Sequence, residues 1–406
     1  MEAQVIAKNL VKWRQERGLN QEQLAEAAGL SRSGYRKIEG GEGLARLDTL
    51  QRLAEALKVP LKELLEPQLT LQRARFRSRK RLNRREIVLG DVARWLRDFN
   101  ELESLVGERA PLDALNLSKL RAKLKRIKAA AQELSQWIPE AASAVRKSLK
   151  LSEDGPIYNL CGVLESRGVK VLLLNYANED LMGLSVGEDE GGPAMVVNVW
   201  ERITVERRIF SAAHELAHLL LHFESYDTVA NEEIEREEEE ANALASYLLM
   251  PKESFERAWE AMSGLRFLDR ILVVKRAFRV SWQSVLFRLS AALPKERRGQ
   301  LWIKFFAEFK QRSGHSLSKK DEPLALQQDD FFAQAPQPGP EPEALTLHDF
   351  YEQRLQRLVR LAIEEGEISL GRGAEILHIS LAEMRERTLA WSLDKIDETP
   401  PGVAGA

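Results

Sequence analysis

Apolar positions in residues 1–67 recur every three or four residues, in short runs broken by glycines and polar capping residues. That is the rhythm of several short amphipathic helices. The first predicted helix is Val5–Arg17, stopped by Gly18. Asn20 stands as the N-cap of a second, Gln21–Ala28, with Leu24 on its apolar face. Gly29-Leu30-Ser31 makes a tight turn, and Ser31 caps a third helix through Ile38, which Gly40-Gly41 ends. Thr49–Leu57 and Leu61–Leu65 complete a five-helix unit, the last opened by Pro60.

Beyond this unit the pattern changes twice. Val88–Leu105 and Leu117–Trp137 keep helical spacing, broken near Gly107 and Pro111. Before them, Arg73, Arg75, Arg77, Arg79, Lys80 and Arg81, followed by Arg84 and Arg85, form a basic stretch. It reads as an arm toward phosphates or, equally well, as a solvated face or linker. A new domain begins near Ile138 and Pro139. A helix at Ile157–Ser166 is followed by short Val- and Leu-rich runs, Val169–Asn175, Met182–Val186 and Ala194–Val199, which read as strands of a small sheet. Such a sheet can hold an extended peptide by strand addition. Thr204 can cap the next helix, which runs through an apolar stretch free of Gly and Pro. Glu253–Leu293 is helical, with a turn-like Val280-Ser281 before a helix that suits packing against the preceding domain or, alternatively, mimicry of a DNA reader. Residues 313–345, with Pro323, Pro336, Pro338, Pro340 and Pro342, read as a flexible linker. Residues 346–392 form a helical module with Ser369 and Ser380 as caps, suited to protein docking or to DNA; Thr399–Ala406 is expected to be disordered.

Composition narrows the setting. The chain has 406 residues, enough for several domains, and no apolar run near the ~18 residues a membrane span needs. No secretion signal is visible, and a single cysteine, Cys161, excludes an internal disulfide or a thiolate metal site. A cytoplasmic protein is expected, without membrane partners. The net charge of −2, and 11 Lys or Arg against 10 Asp or Glu in residues 1–67, confine any DNA binding to a local surface.

The candidate chemistry lies in Ser211–His222. His214, Glu215 and His218 form the pattern His-Glu-x-x-His. On a helix, residues four apart share a face, so the two imidazoles can hold one metal ion, while Glu215 stands beside the water such an ion activates. The bland alternative is a buried helix whose histidines satisfy backbone partners. A catalytic ion takes a third protein ligand. His222, a turn further on, is too far and suits a helix-end or supporting role. His315, His348 and His378 belong to remote segments. Residues 232–240 hold seven Glu in nine positions and lead into an Ala-rich apolar helix, so one carboxylate can be carried inside.

Two resemblances sharpen this. Gln21, Leu24, Ala25, Ala28, Gly29, Leu30, Ser31, Lys37, Ile38 and Glu39 fall in an order that resembles the phage-repressor, or XRE-type, helix-turn-helix domain. The resemblance implies double-stranded DNA as a partner. Ser31, Arg32, Ser33, Tyr35 and Arg36 would face the major groove, with Gln21 at a phosphate. The spacing Glu238-x-x-Ala241-Asn242 is similar to the Glu-x-x-Ala-Asn/Asp element of metallopeptidases with two His and one Glu ligand. This implies Glu238 as third ligand, with Glu239 as the alternative. Asn242, on the same face, could hydrogen-bond a ligating histidine. Together with Glu206, Arg207, Arg208, Phe210, Ser211, Ala213 and Ala217, and with Ala245, Leu248, Leu249, Met250 and Pro251, these elements resemble the ImmA/IrrE family of metallopeptidases over about residues 140–295. Ala217 stands where Gly is frequent and Ser211 where Thr is frequent.

The expected architecture is multidomain and mainly α: a five-helix helix-turn-helix domain (1–67), a charged helical spacer (68–137), an α+β zincin-like (gluzincin) peptidase domain with a small β-sheet (138–295), a helix and Pro-rich linker (296–345), and a C-terminal helical module (346–398). The resemblance implies a DNA-binding regulator with an endopeptidase that cleaves a partner repressor in stress or mobile-element responses. One divalent metal, zinc or alternatively manganese or iron, is held by His214, His218 and Glu238, with Glu215 as catalytic base. Tyr247 or a residue of the sheet loops is the candidate for stabilising the oxyanion. A homodimer fits the modest basic surface. The alternative is a non-catalytic transcription factor or antitoxin using the peptidase fold as sensor or dimerisation domain.

Overall fold

The structure is a computed structural model describing residues 2–65, 71, 73–78, 85–108, 111, 114–131, 133–177, 181–226, 234–318, 321–323 and 345–397. Two compact units emerge. One comprises residues 1–71 and 83–95, the other 72–82 and 96–406.

The first unit is built from α1 (Glu2–Glu16), α2 (Gln21–Ala27), α3 (Arg32–Glu39), α4 (Leu47–Leu57) and α5 (Lys62–Leu65). The caps are those the sequence offers. Asn20 forms a reciprocal capping box with Gln23, and Ser31 Oγ accepts from Gly34 N at 3.1 Å. Leu10, Leu24, Leu53, Leu57 and Leu64 are sealed in one core. Tyr35 belongs to that core as well, which corrects its expected place on the DNA face. Four residues after Ser31, it turns onto the inner side of α3, fully buried, and its hydroxyl donates to Glu39 at 3.0 Å. Arg14 Nε donates to the same carboxylate at 2.7 Å, and so does the half-buried Gln21 amide. Gln21 thus joins the network of Tyr35, Arg14 and Glu39. Ser31, Arg32, Ser33 and Arg36 are exposed.

The second unit begins with β1 (Ala74–Ser78), inside a region where the sequence predicts no strand. Then come α6 (Arg85–Leu105), which ends in this unit, α7 (Leu117–Ala129), α8 (Leu134–Ser148), α9 (Leu160–Glu165), β2 (Lys170–Leu174), β3 (Leu181–Val186) and β4 (Ala194–Asn198). The helical stretch expected over Leu117–Trp137 is two helices: α7 ends at Ala129, and α8 runs on through Pro139 to Ser148. The sheet order is β1-β3-β4-β2. β3 is antiparallel to both neighbours, and β2 is parallel to β4. Every residue of β3 and β4 is buried.

Next come α10 (Val205–Leu221), α11 (Glu235–Leu249), α12 (Lys252–Ala261), α13 (Phe267–Phe278), α14 (Trp282–Ala291) and α15 (Lys295–Ser313). Thr204 is the N-cap residue of α10 by position, but its side chain makes no cap hydrogen bond. Arg208 fixes that end instead, donating to the carbonyls of Val199, Trp200 and Ile203 at 2.9–3.1 Å. Val171, Met195 and Val197 of the sheet share one core with Ile209, Ala213 and Leu216 of α10, Leu244 and Leu248 of α11, and Val145 of α8. The Val280-Ser281 turn lies in the same body. Val280 and Trp282 are buried, and Trp282 stacks on Phe305 at 4.6 Å.

The last helices are α16 (Arg354–Glu364), α17 (Leu370–Ile376) and α18 (Leu381–Asp397). Ser369 and Ser380 cap α17 and α18 as expected. The module docks within the second unit. Glu165 accepts from the backbone N–H of Gln353 and Arg354, Arg354 pairs with the buried Glu103 at 2.6 Å, and Arg372 pairs with Asp98 at 2.8 Å. Arg79–Arg84 of the basic stretch, Glu232 and Glu233 of the acidic run, Pro336–Pro342 of the linker and the tail from Thr399 lie outside the described residues.

The network around Tyr35 makes a prediction. Tyr35→Phe removes a buried hydrogen bond to a carboxylate and should cost about 1–3 kcal/mol of stability in chemical denaturation of the full chain. DNA affinity of the folded variant should be unchanged. A variant of full stability with weakened DNA binding would return Tyr35 to the DNA face.

Candidate metal centre

The centre forms where α10 meets α11. Fourteen of the seventeen residues of α10 are buried, so its polar side chains must find partners inside the protein. His214 and His218, one turn apart, bring their Nε2 atoms to 2.9 Å. Glu238, in the first turn of α11, faces both: Oε2 lies 3.2 Å from His214 Nε2, and Oε1 lies 3.1 Å from His218 Nε2. The three side chains offer one ligand atom each within 4.8 Å of one another. A single ion bound at about 2.0–2.2 Å to nitrogen and oxygen bridges such a spacing. His214 and His218 are buried, while Glu238 retains 16% side-chain exposure.

The other nitrogens of the two imidazoles are also engaged. Asn242 Oδ1 lies 3.0 Å from His214 Nδ1, so its carbonyl accepts from the ring N–H and turns the Nε2 lone pair toward Glu238. His218 is oriented through a longer relay. Lys128 donates to Glu240 at 2.6 Å, Glu240 lies 3.1 Å from His222 Nε2, and His222 Nδ1 meets His218 Nδ1 at 2.9 Å. Glu240 accepts from His222 Nε2–H, and the tautomer in which His222 Nδ1 accepts from His218 Nδ1–H leaves the His218 Nε2 lone pair available to a metal. Burial pushes the Glu240 carboxyl up, but hydrogen bonds from His222 and Lys128 outweigh it and bring it to about 2. Burial, with His214 beside it, holds His218 well below the ordinary imidazole range despite Glu238. Ligation needs the carboxylate form of Glu238 and the neutral form of both imidazoles.

Glu215 points toward the sheet. A Cβ on Gly183 of β3 would stand 2.7 Å from Glu215 Oε1 and 2.9 Å from its Cγ, so only glycine leaves room for this carboxylate. Next to it, the buried Tyr226 hydroxyl donates to Ser185 Oγ at 2.7 Å. Burial and the nearby Glu215 push that phenol up. Tyr247 is covered by Arg288, whose guanidinium carbon lies 2.9 Å from its ring centre.

Three participants escape the sequence reading. Glu240 and Lys128 back His222, for which only a general supporting role is legible. Arg75 of β1 donates to Glu238 Oε1 at 3.1 Å and also grips Glu237, which accepts in turn from Ser225. Glu239, the alternative third ligand, is not in the cluster with the two histidines. Four-residue spacing points to His222, but nothing local in the sequence points to Arg75.

Residues 164–290 match the family model described as the IrrE N-terminal-like domain, a peptidase family, and residues 10–64 match a helix-turn-helix model. No curated protein matches the chain. Among solved structures, Bacillus thuringiensis PlcR in complex with the peptide PapR7 and DNA is 11% identical, with 97% of this chain and 96% of that chain covered and a TM-score of 0.18. Apo ComR from S. thermophilus is 14% identical, with 76% and 94% covered and a TM-score of 0.15. At such scores neither structure informs the site. Among the described residues no helix is long and apolar enough to cross a membrane.

The backing groups lead to a graded expectation. His218→Ala should abolish stoichiometric zinc binding in a chelator-competition titration. Asn242→Ala and Glu240→Gln should each weaken it by roughly 10–100-fold. Unchanged affinity in all three would show that metal, if bound, sits elsewhere.

Proposed function

We propose that this chain, which carries a helix-turn-helix domain and an IrrE-type peptidase domain, is a DNA-binding regulator whose second unit is a metal-dependent endopeptidase. Its substrate is a partner repressor, whose cleavage lifts repression of stress or mobile-element genes. The observation that carries the catalytic reading is Glu215, a buried carboxylate that directly follows His214 on α10 and fits against Gly183 of β3, where a Cβ would clash with it. Maintaining such a cradle serves a chemical role better than a purely architectural one, which counts against the non-catalytic alternative.

A divalent ion held by His214, His218 and Glu238 supplies Lewis-acid polarisation of the scissile carbonyl. The protein's own groups do the rest. Glu215 takes the proton of the attacking water and returns it to the leaving amine. Asn242 and the Lys128–Glu240–His222 relay keep both imidazoles in the ligating tautomer. The buried walls of α10 and β3 limit water around Glu215, so its proton transfers occur in a medium of low polarity. In the first unit, Ser31, Arg32, Ser33 and Arg36 form the exposed surface proposed to meet DNA.

Glu215→Gln should retain about one metal per chain and lose roughly 10²–10⁴-fold in cleavage of the partner repressor. Gly183→Ala should behave likewise, because the added methyl displaces Glu215 without touching the ligands. Fragment mass spectrometry of the repressor incubated with each protein reads this directly. Equal cleavage by wild type and Glu215→Gln would end the catalytic assignment.

A further inference from the structure

Without β1, β3 would be an edge strand of the sheet, open to strand addition; β1 of the same chain fills that place. β1 pairs antiparallel with β3, placing Ala74 opposite Val186, Arg75 opposite Ser185, Phe76 opposite Leu184 and Arg77 opposite Gly183. Gly183 is the residue that abuts Glu215, so β1 runs past the candidate catalytic carboxylate at the spacing of one strand. The register shifts between Arg77 and Ser78, just beyond that point, and Ser78 pairs with Leu181.

The sequence of β1, Ala-Arg-Phe-Arg-Ser, has little strand propensity of its own apart from Phe76. The buried β3 supplies the template, since its edge N–H and C=O groups need a partner. What fastens β1 is arginine. Arg73 immediately precedes the strand and Arg75 lies within it. Arg73 donates to Asp189 at 2.6 Å through its guanidinium and to Glu190 at 3.1 Å through its backbone N–H. Arg75 reaches across to Glu237 and to Glu238, the third ligand of the proposed metal. The Arg75 side chain is 11% exposed, so this grip is largely withdrawn from water.

We infer that β1 is a tethered occupant of the peptide-docking edge of β3, locked by Arg75 on Glu237 and Glu238, and that the same edge takes in trans an extended peptide carrying arginine at the matching position. The inference rests on the peptidase reading for its meaning, since it gives the substrate class of that site and a self-blocked state of it. The docking itself does not depend on cleavage.

The test uses full-length protein in a Glu215→Gln background, which removes cleavage from the readout. The probe is a fluorescein-labelled peptide with the sequence of residues 72–80. Prolines at both Arg75 and Phe76 remove at least one ladder N–H, because alternate residues of an antiparallel strand donate to the neighbour. That double variant should bind the probe at least roughly tenfold more tightly than the unaltered strand, by fluorescence anisotropy. Replacing the probe's arginine corresponding to Arg75 by glutamine should weaken binding roughly tenfold. Amides of residues 181–186 should exchange hydrogen roughly tenfold faster in the variant and slow again when the probe is added. If the double variant does not fold, Arg75→Gln in the full chain carries the exchange measurement, with faster exchange at residues 183–186 expected. Equal probe binding with and without the prolines, indifference to the probe's arginine, or unchanged exchange at β3 would overturn the inference. Failure of wild-type protein to cut any repressor, with probe binding as predicted, would instead overturn the peptidase reading alone.

Discussion

The structure of the second unit depends on one contact, the placement of the Glu238 carboxylate between two imidazoles of a buried helix. Burying a carboxylate and two histidines in an apolar body is costly unless each polar atom is met. Close packing of α10 on α11 satisfies that condition. Ala213 and Ala217 on one helix and Ala241 and Ala245 on the other are all fully buried, and their small side chains let the two backbones come near enough for the first turn of α11 to present Glu238. An acidic run that would otherwise be a solvated face therefore contributes one of its members to the interior.

Around that contact the protein builds outward in two directions. On the helical side, Asn242 and the Lys128–Glu240–His222 relay give each histidine a fixed tautomer. On the sheet side, Gly183 and the Tyr226–Ser185 pair shape the space for Glu215, and β1 closes the edge of the same strand. The cluster is therefore backed by hydrogen-bonded partners on the helical side, while on the sheet side β1 is held by its ladder to β3 and by the ion pairs of Arg73 and Arg75.

The periodic parts of this arrangement are legible in the sequence. His214, Glu215 and His218 stand out by spacing. Glu238 and Asn242 follow from the resemblance to a two-histidine, one-glutamate element, and Asn20, Ser31, Ser369 and Ser380 cap the helices they precede. The less legible features are set by tertiary context. Tyr35 sits on a short helix where a position in a motif cannot reveal which face turns inward; its hydroxyl partner, Glu39, and the distant Arg14 decide that. β1 has a helix-compatible, arginine-rich sequence and becomes a strand only because a buried edge is there to pair with it, a tertiary override of local preference. Arg75 acts across 162 residues of chain on Glu237, a relation no local pattern encodes.

The most direct test of the central claim is anomalous diffraction from crystals of the full chain at the absorption edge of its bound metal. The account predicts one strong peak per chain between α10 and α11, within about 2.0–2.2 Å of His214 Nε2, His218 Nε2 and a Glu238 oxygen. A peak coordinated by His222 or Glu240 in place of Glu238, or stoichiometric metal bound anywhere else, would contradict it.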